Sequence, residues 1–216
     1  MFDVDTHDLT EPVREPAGEE PTDGRRLRRE RNRGAVVESL LGHYREGNLA
    51  PSAEDIAERA GLSPRSLHRY FDDLDDLART AIDRAQADVA HLFEVRAAPD
   101  DPFAERVRAL VDQRSILFEA VESVALVTRL RAPFHRVVAD NLTRNRARLR
   151  RQIERLFAAE LSDLDSVLAD RRLALADVAT SFEAYRLLRD DQGLDVDEAR
   201  SVLTESITLL LTGGNP

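Results

Sequence analysis

Residues 52–71 read SAEDIAERAGLSPRSLHRYF, and this stretch predicts two short helices joined by a tight turn. Ser52 is a good N-cap for the first helix, and Asp55 three residues later completes a capping-box pattern. Gly61 suits the left-handed conformation in which many helices end. Ser63-Pro64 then begins the next helix at once, with a cap followed by proline at the first helical position. Because a turn of about three residues is too short for antiparallel packing, the pattern predicts a helix-turn-helix.

The second helix of this unit has an apolar side and a polar side. Leu67, Tyr70 and Phe71 are spaced at i, i+3 and i+4 and predict the side that packs on the core. The polar side could be an ordinary solvated exterior, but a helix-turn-helix places it in the major groove of DNA. There arginine side chains read guanine, and hydroxyl-bearing side chains position the DNA backbone. The residues of this unit predicted to contact DNA are Ser52, Pro64, Arg65, Ser66, His68, Arg69 and Tyr70.

A strongly basic stretch precedes the unit. Residues 25–33 read RRLRRERNR, with six arginines against one glutamate. One interpretation is the solvated, frayed start of a helix, and the other is an arm that reaches phosphates or the adjacent minor groove. The neighbouring helix-turn-helix favours the arm, so Arg25, Arg26, Arg28 and Arg29 are predicted to contact DNA as well.

The total charge of the chain conceals this distribution. With 31 Lys+Arg and 41 Asp+Glu among 216 residues, the net charge of −10 argues at first against a nucleic-acid partner. Counted by segment, residues 1–24 carry −7, residues 25–80 carry +1 and the remainder carries −4. Residues 1–24 are predicted to be a disordered acidic tail. DNA binding would then depend on a few concentrated arginines.

Composition and motifs exclude several other classes of protein. The chain has no cysteine, which rules out disulfides and thiolate zinc sites. Its five histidines match no paired metal-ligand spacing, and no nucleophile elbow, P-loop or dinucleotide fingerprint is present. No apolar run approaches the roughly 18 residues of a membrane helix. We expect a cytoplasmic protein with no catalytic residues, no cofactor, no metal site and no membrane partner.

The remainder of the chain has helical periodicity throughout. The apolar spacing predicts a first helix over about 27–46 and a connecting helix over 74–95, before Pro99 and Pro102 break the chain. Asp195 and Glu198 form a second capping-box pattern. Longer helices are predicted near 102–130, 134–160, 166–191 and 195–212. The fold class is therefore all-α, and the predicted divisions are the tail (1–24), a three-helix head (25–73), the connecting helix (74–95) and a larger helical body (96–212).

These segments resemble a known protein family. IAERAGLS at 56–63 and SLHRYF at 66–71 resemble the DNA-binding signature of the TetR family of bacterial transcriptional regulators, and TSFEAYR at 180–186 resembles a helix near the C-terminus of many members. The resemblance implies a head that binds double-stranded operator DNA. It further implies a body that binds a small-molecule ligand and forms a homodimer through its last two helices.

Two positions depart from the family pattern. His68 stands where a tyrosine is usual, and Leu74 replaces a lysine that resembles a phosphate contact. Leu74 also lies within a cluster of four aspartates at positions 72–76. Four carboxylates directly after the recognition helix should repel the DNA backbone if they face it.

Polar residues interrupt the apolar stripes of the body helices. Arg114 falls in the middle of the stripe of helix 102–130, with Thr128 at its edge, and Asn145 lies near the centre of the stripe of helix 134–160. Buried polar groups need partners, and a bound ligand is one candidate. The alternative is that the arginine reaches solvent or pairs with an acid on a neighbouring helix. The predicted ligand-pocket residues are Arg114, Phe118, Thr128, Asn141, Asn145 and Tyr185.

Two functions follow from these observations. The first is a dimeric repressor that a small molecule releases from a palindromic operator, although the residues do not separate repressor from activator. The second is a ligand-binding or protein-interaction dimer with weak or vestigial DNA binding, which the aspartate cluster motivates. Steep salt dependence of specific DNA binding would distinguish the first from the second.

Overall fold

Residues 20–213 are described in this computed structural model, with side chains from Gly24 onward. This range contains helices and no strand, so the predicted all-α fold is confirmed. Most of the predicted tail, residues 1–19, lies outside the described residues. The helices are α1 (Glu20–Arg45), α2 (Ala53–Arg59), α3 (Pro64–Leu67), α4 (Leu74–Asp88), α5 (Phe103–Arg131), α6 (Arg136–Leu156), α7 (Ala158–Ser162), α8 (Ser166–Ala179), α9 (Phe182–Arg186) and α10 (Val196–Thr212).

Helices α1 to α4 share one apolar core. Leu40, Leu41 and Tyr44 of α1 are buried against Ile56 of α2 and Leu67 of α3. Both predicted N-caps form, because Ser52 Oγ accepts from the Asp55 amide at 3.1 Å and Ser63 Oγ accepts from the Ser66 amide at 3.3 Å. Gly61 adopts φ +66° between the two helices, which explains why glycine occupies the turn.

α1 and α2 approach each other closely at Gly42. A Cβ atom at this position would lie 2.6 Å from the guanidinium of Arg59. That guanidinium donates two hydrogen bonds to the carboxylate of Glu46, at 2.6 and 2.8 Å. The missing side chain at position 42 therefore lets α2 lie where Arg59 can bind Glu46, directly after α1, in the bidentate geometry.

The connecting helix is shorter than the predicted 74–95. α4 ends at Asp88, and a single 3₁₀ turn, Ala90–Phe93, follows it. Side chains of the body hold this turn, because the Gln113 amide donates to the Leu92 carbonyl at 2.7 Å and the Gln152 amide donates to the Phe93 carbonyl. These carbonyls bind amides from helices α5 and α6 rather than continuing a helix, which a local sequence pattern does not reveal.

α5 to α10 form a second core. Its buried side chains come from all parts of the body and include Leu110, Phe118, Ile153, Tyr185 and Ile207. The capping box of α10 forms as predicted, since the Asp195 carboxylate accepts from the Glu198 amide at 2.8 Å and the Asp195 amide donates to Glu198 at 2.8 Å.

Two of the predicted long helices are interrupted. The helix predicted over 166–191 breaks after Ala179, because Thr180 bonds back to the Ala176 carbonyl at 2.8 Å and Ser181 caps a new helix, α9. α9 then passes into a π-helical turn, Leu187–Asp191. The helix predicted over 134–160 ends at Leu156, and α7 follows as a separate short helix.

The start of α1 also differs from the predicted division between tail and head. The helix begins at Glu20, five residues before the expected boundary at residue 25. None of the helices within residues 20–213 is both long enough and apolar enough to cross a lipid bilayer.

Candidate nucleic-acid interface and body cavity

The predicted recognition helix is a single α-helical turn, and the residues that follow it continue with i to i−3 hydrogen bonds. α3 covers Pro64–Leu67, and the chain continues helically through the Tyr70 amide, which donates to the Leu67 carbonyl at 2.9 Å. Leu67 and Phe71 are buried on the core side. On the opposite side Pro64, Arg65, His68 and Arg69 are exposed and Ser66 is half-buried. The backbone thus presents the predicted base-contacting side chains on one outward surface.

Tyr70 connects this surface to α1. Its ring is buried, while its hydroxyl oxygen accepts from the Asn32 side-chain amide at 2.9 Å and from the Arg69 guanidinium at 2.9 Å. These hydrogen bonds, with the positive charges of Arg69 and Arg29 nearby, lower the pKa of Tyr70. The Arg69 guanidinium also lies 5.2 Å from the centre of the Tyr70 ring. Tyr70 thus holds Arg69 in place, and Asn32 in turn holds Tyr70.

The predicted basic arm is helical. Arg25, Arg26, Arg28 and Arg29 are exposed residues within α1, so the described part of the chain has them on a regular helix and not on an extended arm. The hydrogen bond from Asn32 of α1 to the Tyr70 hydroxyl places this basic helix beside the recognition turn. The arginines therefore extend the same positively charged surface, and their contact with DNA stays a prediction.

Ser52 is engaged in its own helix cap. Its hydroxyl donates to the Asp55 carboxylate at 2.8 Å, and its amide donates to the same carboxylate at 3.0 Å. Both hydrogen bonds lower the pKa of Asp55. Ser52 is exposed at the start of α2, so a phosphate contact would have to compete with this cap.

Three of the four carboxylates of the aspartate cluster have partners within the protein. Asp73 caps α4 by accepting from the Asp76 amide at 2.7 Å, and Asp76 pairs with Arg79. Asp75 pairs with Arg131 at the end of α5 and lies 3.3 Å from a ring nitrogen of His135. Asp72, Asp73 and Asp75 are all exposed, and among the described residues Asp72 is the member of the cluster without such a partner. The expected repulsion of DNA is therefore reduced by the local partners of the other three carboxylates.

A cavity of about 560 Å³ lies between the connecting helix and the body. Its walls come from α1, α4, the 3₁₀ turn, α5, α6, α8 and α9. The lining includes Ala85 of α4, the helix that joins the head to the body, and Val89 directly after it. Any molecule in this cavity would contact both parts of the protein, and the volume is within the usual range for small-molecule sites.

The predicted pocket residues divide into two groups. Phe118, Thr128 and Asn145 line the cavity. Tyr185 is buried beside it, with its hydroxyl donating to the Glu119 carboxylate at 2.7 Å, and burial together with this carboxylate raises its pKa to about 12. Asn141 accepts from the Asn145 amide at 2.9 Å and so helps to orient the side chain of a residue that lines the cavity. That these residues contact a ligand stays a prediction.

Arg114 has partners within the protein, although none of them is the acid on a neighbouring helix that the alternative predicts. It is fully buried, and it donates to the side-chain oxygens of Gln113 and Gln152 and to the Leu149 carbonyl, the latter two at 2.7 and 2.9 Å. All three acceptors are neutral. Burial lowers the pKa of Arg114 to about 9, and its Nε atom has no hydrogen-bond partner. The same two glutamines hold the turn after α4, so Arg114 orders the junction between α4 and the body.

Sequence patterns did not reveal the main ionic group of the cavity. Arg129, Arg146 and Glu183 line it, with the Glu183 carboxylate accepting from Arg129 at 3.0 Å and also from Arg146. Burial alone would raise the pKa of Glu183, but these two arginines lower it to about 2. The Arg129 guanidinium also stacks 4.1 Å from the centre of the Phe182 ring. Because the three charged residues come from three helices, no local spacing could have indicated this cluster.

The surface of α8 and α10 carries exposed apolar side chains. On α8 these are Val167, Leu175 and Val178, and on α10 they are Val202 and Leu209. A monomer gains nothing from exposing such a set on two adjacent helices. These are the helices for which the family resemblance implies a dimer, and the pairing itself stays a prediction.

The fold defined by these elements is that of TetR-type transcriptional regulators, and three solved structures illustrate it. A transcriptional regulator from Rhodococcus sp. Rha1 shares the fold with a TM-score of 0.57 and 19% identity, over 86% of this chain and 96% of its own. A regulator from Rhodococcus sp. assigned to the TetR family has a TM-score of 0.58 and 19% identity, over 83% and 98%. A TetR transcription regulator from Haloarcula marismortui has a TM-score of 0.58 and 18% identity, over 84% and 97%.

The sequence by itself matches no family model and no curated protein. The likeness is therefore one of backbone architecture, and it extends over nearly the whole of each of the three solved chains. It confirms the fold that the helix-turn-helix signature and the helix pattern predict.

Proposed function

We propose that this chain is a DNA-binding transcriptional regulator of the TetR type. The observation that carries the proposal is the outward surface of the recognition turn, where Arg65, His68 and Arg69 are exposed beside the basic part of α1. Arg69 is pre-oriented by Tyr70, which limits the entropy lost when its guanidinium binds a base edge. The solved structures of the same fold that are described as transcriptional regulators support this reading.

The functional unit in this proposal is a homodimer that reads a palindromic operator. One recognition turn of this length makes few base contacts, and a two-fold axis doubles them on two half-sites. In this proposal the two chains contact each other around the two-fold axis through the exposed apolar residues of α8 and α10. Repression follows when the bound dimer blocks transcription.

Release from DNA would come from a small molecule in the body cavity. Ala85 and Gln86 of α4 line the cavity, as does Val89 directly after the helix, and α4 also packs on the core of the head. A ligand that fits one position of α4 better than another changes the separation of the two heads in the dimer. Binding of ligand and binding of DNA are then linked through α4.

A DNA-binding titration tests the central claim. The full-length chain is titrated onto the intergenic DNA upstream of its own gene, at several salt concentrations, beside the variants Arg69→Ala and Arg136→Ala. Arg136 is a matched control, since its side chain is 94% exposed on α6 of the body. We expect Arg69→Ala to weaken specific binding by about tenfold or more while Arg136→Ala leaves it unchanged. Equal affinity of Arg69→Ala and wild type would contradict the assignment, and no binding at low salt would favour a dimer without DNA function.

A further inference from the structure

The cavity between α4 and the body has walls that are mainly apolar. Three aromatic rings, those of Phe93, Phe118 and Phe182, lie on the 3₁₀ turn, α5 and α9. Aliphatic side chains fill the rest of the wall, among them Leu117, Val121, Val124, Leu142 and Leu149. A molecule that fills about 560 Å³ must bury most of its surface against these groups, so it must itself be mainly apolar.

Each carboxylate in the lining already has an arginine partner. Glu183 accepts from Arg129 and Arg146, and the Asp177 carboxylate lies 3.5 Å from Arg150. The third acid, on α4, is paired in the same way, with Asp88 accepting from Arg84 at 3.0 Å.

The remaining lining arginine is also paired. Arg45 donates to the Glu38 carboxylate at 2.7 Å. The described lining thus contains three arginines and three acids, each with a counter-ion. A charged ligand would have to break one of these pairs or lie unpaired against the apolar walls, and the cost of breaking a pair is largest for Arg129 and Glu183, since the Arg129 side chain is mostly shielded from solvent.

The buried hydroxyls of the lining already donate their hydrogens to backbone carbonyls, but they can still accept hydrogen bonds. Thr128 donates to the Val124 carbonyl at 2.7 Å, and Thr180 donates to the Ala176 carbonyl at 2.8 Å. Both threonines are at least nine-tenths buried, with 4% and 2% of their surface exposed. Each hydroxyl oxygen keeps a lone pair, and the ligand group that satisfies a lone pair is an O–H or N–H donor.

We propose that the cavity binds an uncharged, mainly apolar molecule that carries a hydrogen-bond-donating hydroxyl, such as a substituted phenol or an alcohol. The proposal rests on the small-molecule site of the proposed function and specifies its ligand class. The hydroxyl of the ligand donates to Thr128 or Thr180, while its apolar part packs among the three phenylalanines. Because Thr128 lies on α5 and Thr180 lies between α8 and α9, either contact connects the ligand to the body elements that face α4.

Four probes of similar size separate the effect of charge on binding affinity from the effect of a hydrogen-bond-donating hydroxyl. 4-Butylphenol is uncharged and donates, and 4-butylanisole is uncharged with the donor capped by a methyl group. At pH 7.5, 4-butylbenzoate is an anion and 4-butylbenzylamine is a cation. Calorimetric titration of each probe into the full-length protein is expected to give tightest binding for the phenol, about threefold to tenfold tighter than the anisole. Both charged probes are expected to bind at least about tenfold more weakly than the phenol.

A double variant, Thr128→Val with Thr180→Val, tests the assigned acceptors. It is expected to bind the phenol and the anisole with the same affinity, whereas Thr143→Val, an exposed threonine on α6, keeps the wild-type preference. The anisole is the internal control for folding, since its affinity depends on the apolar walls alone.

Four results would overturn the proposal. The first three are equal binding of phenol and anisole to the wild type, tighter binding of a charged probe, and a phenol preference that survives in the double variant. Failure of the phenol to bind up to its solubility limit would overturn it as well. DNA binding by the protein without any probe is measured separately, so a failure of the regulator function is distinguished from a failure of the ligand class.

Discussion

The side-chain amide of Asn32 donates a 2.9 Å hydrogen bond to the hydroxyl of Tyr70, across 38 positions of sequence. Asn32 belongs to the basic part of α1, and Tyr70 ends the recognition turn. The same hydroxyl accepts from Arg69, so one phenol oxygen joins the two positively charged elements of the proposed DNA surface.

Removal of this oxygen should weaken both stability and DNA binding. Tyr70→Phe keeps the buried ring but loses two hydrogen bonds, and we expect the free energy of unfolding to fall by about 1 kcal/mol. Specific DNA affinity should fall severalfold, because Arg69 is then free to adopt other rotamers. Denaturant unfolding and gel-shift titration measure the two effects. Tyr185→Phe is the matched control, since its hydroxyl bonds to Glu119 in the body, and it should leave DNA affinity unchanged.

The aspartate cluster offers a second test, based on the orientation of its members. Asp72 is exposed directly after the recognition turn, whereas Asp75 pairs with Arg131 of the body. We expect Asp72→Asn to raise non-specific DNA affinity by about twofold to threefold at low salt, through reduced repulsion of phosphates. Asp75→Asn should leave it nearly unchanged. Fluorescence anisotropy with a random duplex compares the two, and an increase with Asp75→Asn alone would contradict the orientation described.

Local sequence signals were sufficient to predict the elements that depend on neighbouring residues. The caps at Ser52, Ser63 and Asp195 all form, and they set the starts of α2, α3 and α10. The alternation of buried and exposed side chains around Leu67 also agrees with its helical spacing. The helix-turn-helix was therefore predictable because its contacts lie within about twenty residues.

Features that depend on distant residues were not predictable in this way. The stripe position of Arg114 predicted its burial, but its acceptor Gln152 lies 38 residues away on another helix. The same holds for the pairing of Asp75 with Arg131, 56 residues apart, which turns a carboxylate away from the DNA surface. The continuous helix predicted here is broken at Thr180 and Ser181. The Thr180 hydroxyl donates to the Ala176 carbonyl and the Ser181 hydroxyl accepts from the Ala184 amide, and these local hydrogen bonds outweigh the apolar periodicity.

The carboxylate of Glu183 should make the protein sensitive to acid. Folding lowers its pKa from an ordinary 4.5 to about 2, so the unfolded chain takes up the proton first as pH falls. The stabilisation is present above pH 4.5 and is lost between about pH 4.5 and 2. Glu183→Gln should therefore lose less stability than wild type over that interval. Urea unfolding at several pH values measures the difference, with Glu205→Gln, an exposed residue of α10, as control. Parallel pH profiles of Glu183→Gln and wild type would contradict the paired geometry.

The junction after α4 should become more mobile when one of its glutamines is replaced. Gln113→Met keeps the side-chain volume but removes the 2.7 Å hydrogen bond to the Leu92 carbonyl and an acceptor of Arg114. We expect faster amide hydrogen exchange across the turn Ala90–Phe93, by about tenfold, with smaller changes in α10. Gln192→Met, at an exposed glutamine of the body, is the matched control. Unchanged exchange in the turn would mean that the Gln152 hydrogen bond and the packing of Phe93 hold it without Gln113.

The apolar surface of α8 and α10 should determine the oligomeric state. In the proposed dimer Leu175 is buried against the partner, so Leu175→Glu places a carboxylate in an apolar interface without an opposite charge. Light scattering after size exclusion should give twice the chain mass for the wild type and a single chain mass for Leu175→Glu. Leu130→Glu is the control, since Leu130 is 61% exposed at the far end of α5, and it should remain a dimer. The Leu175→Glu monomer should also bind a palindromic operator far more weakly, because each chain then reads a single half-site. A dimeric Leu175→Glu would place the two-fold axis elsewhere, and a monomeric wild type would remove the dimer from the proposed function.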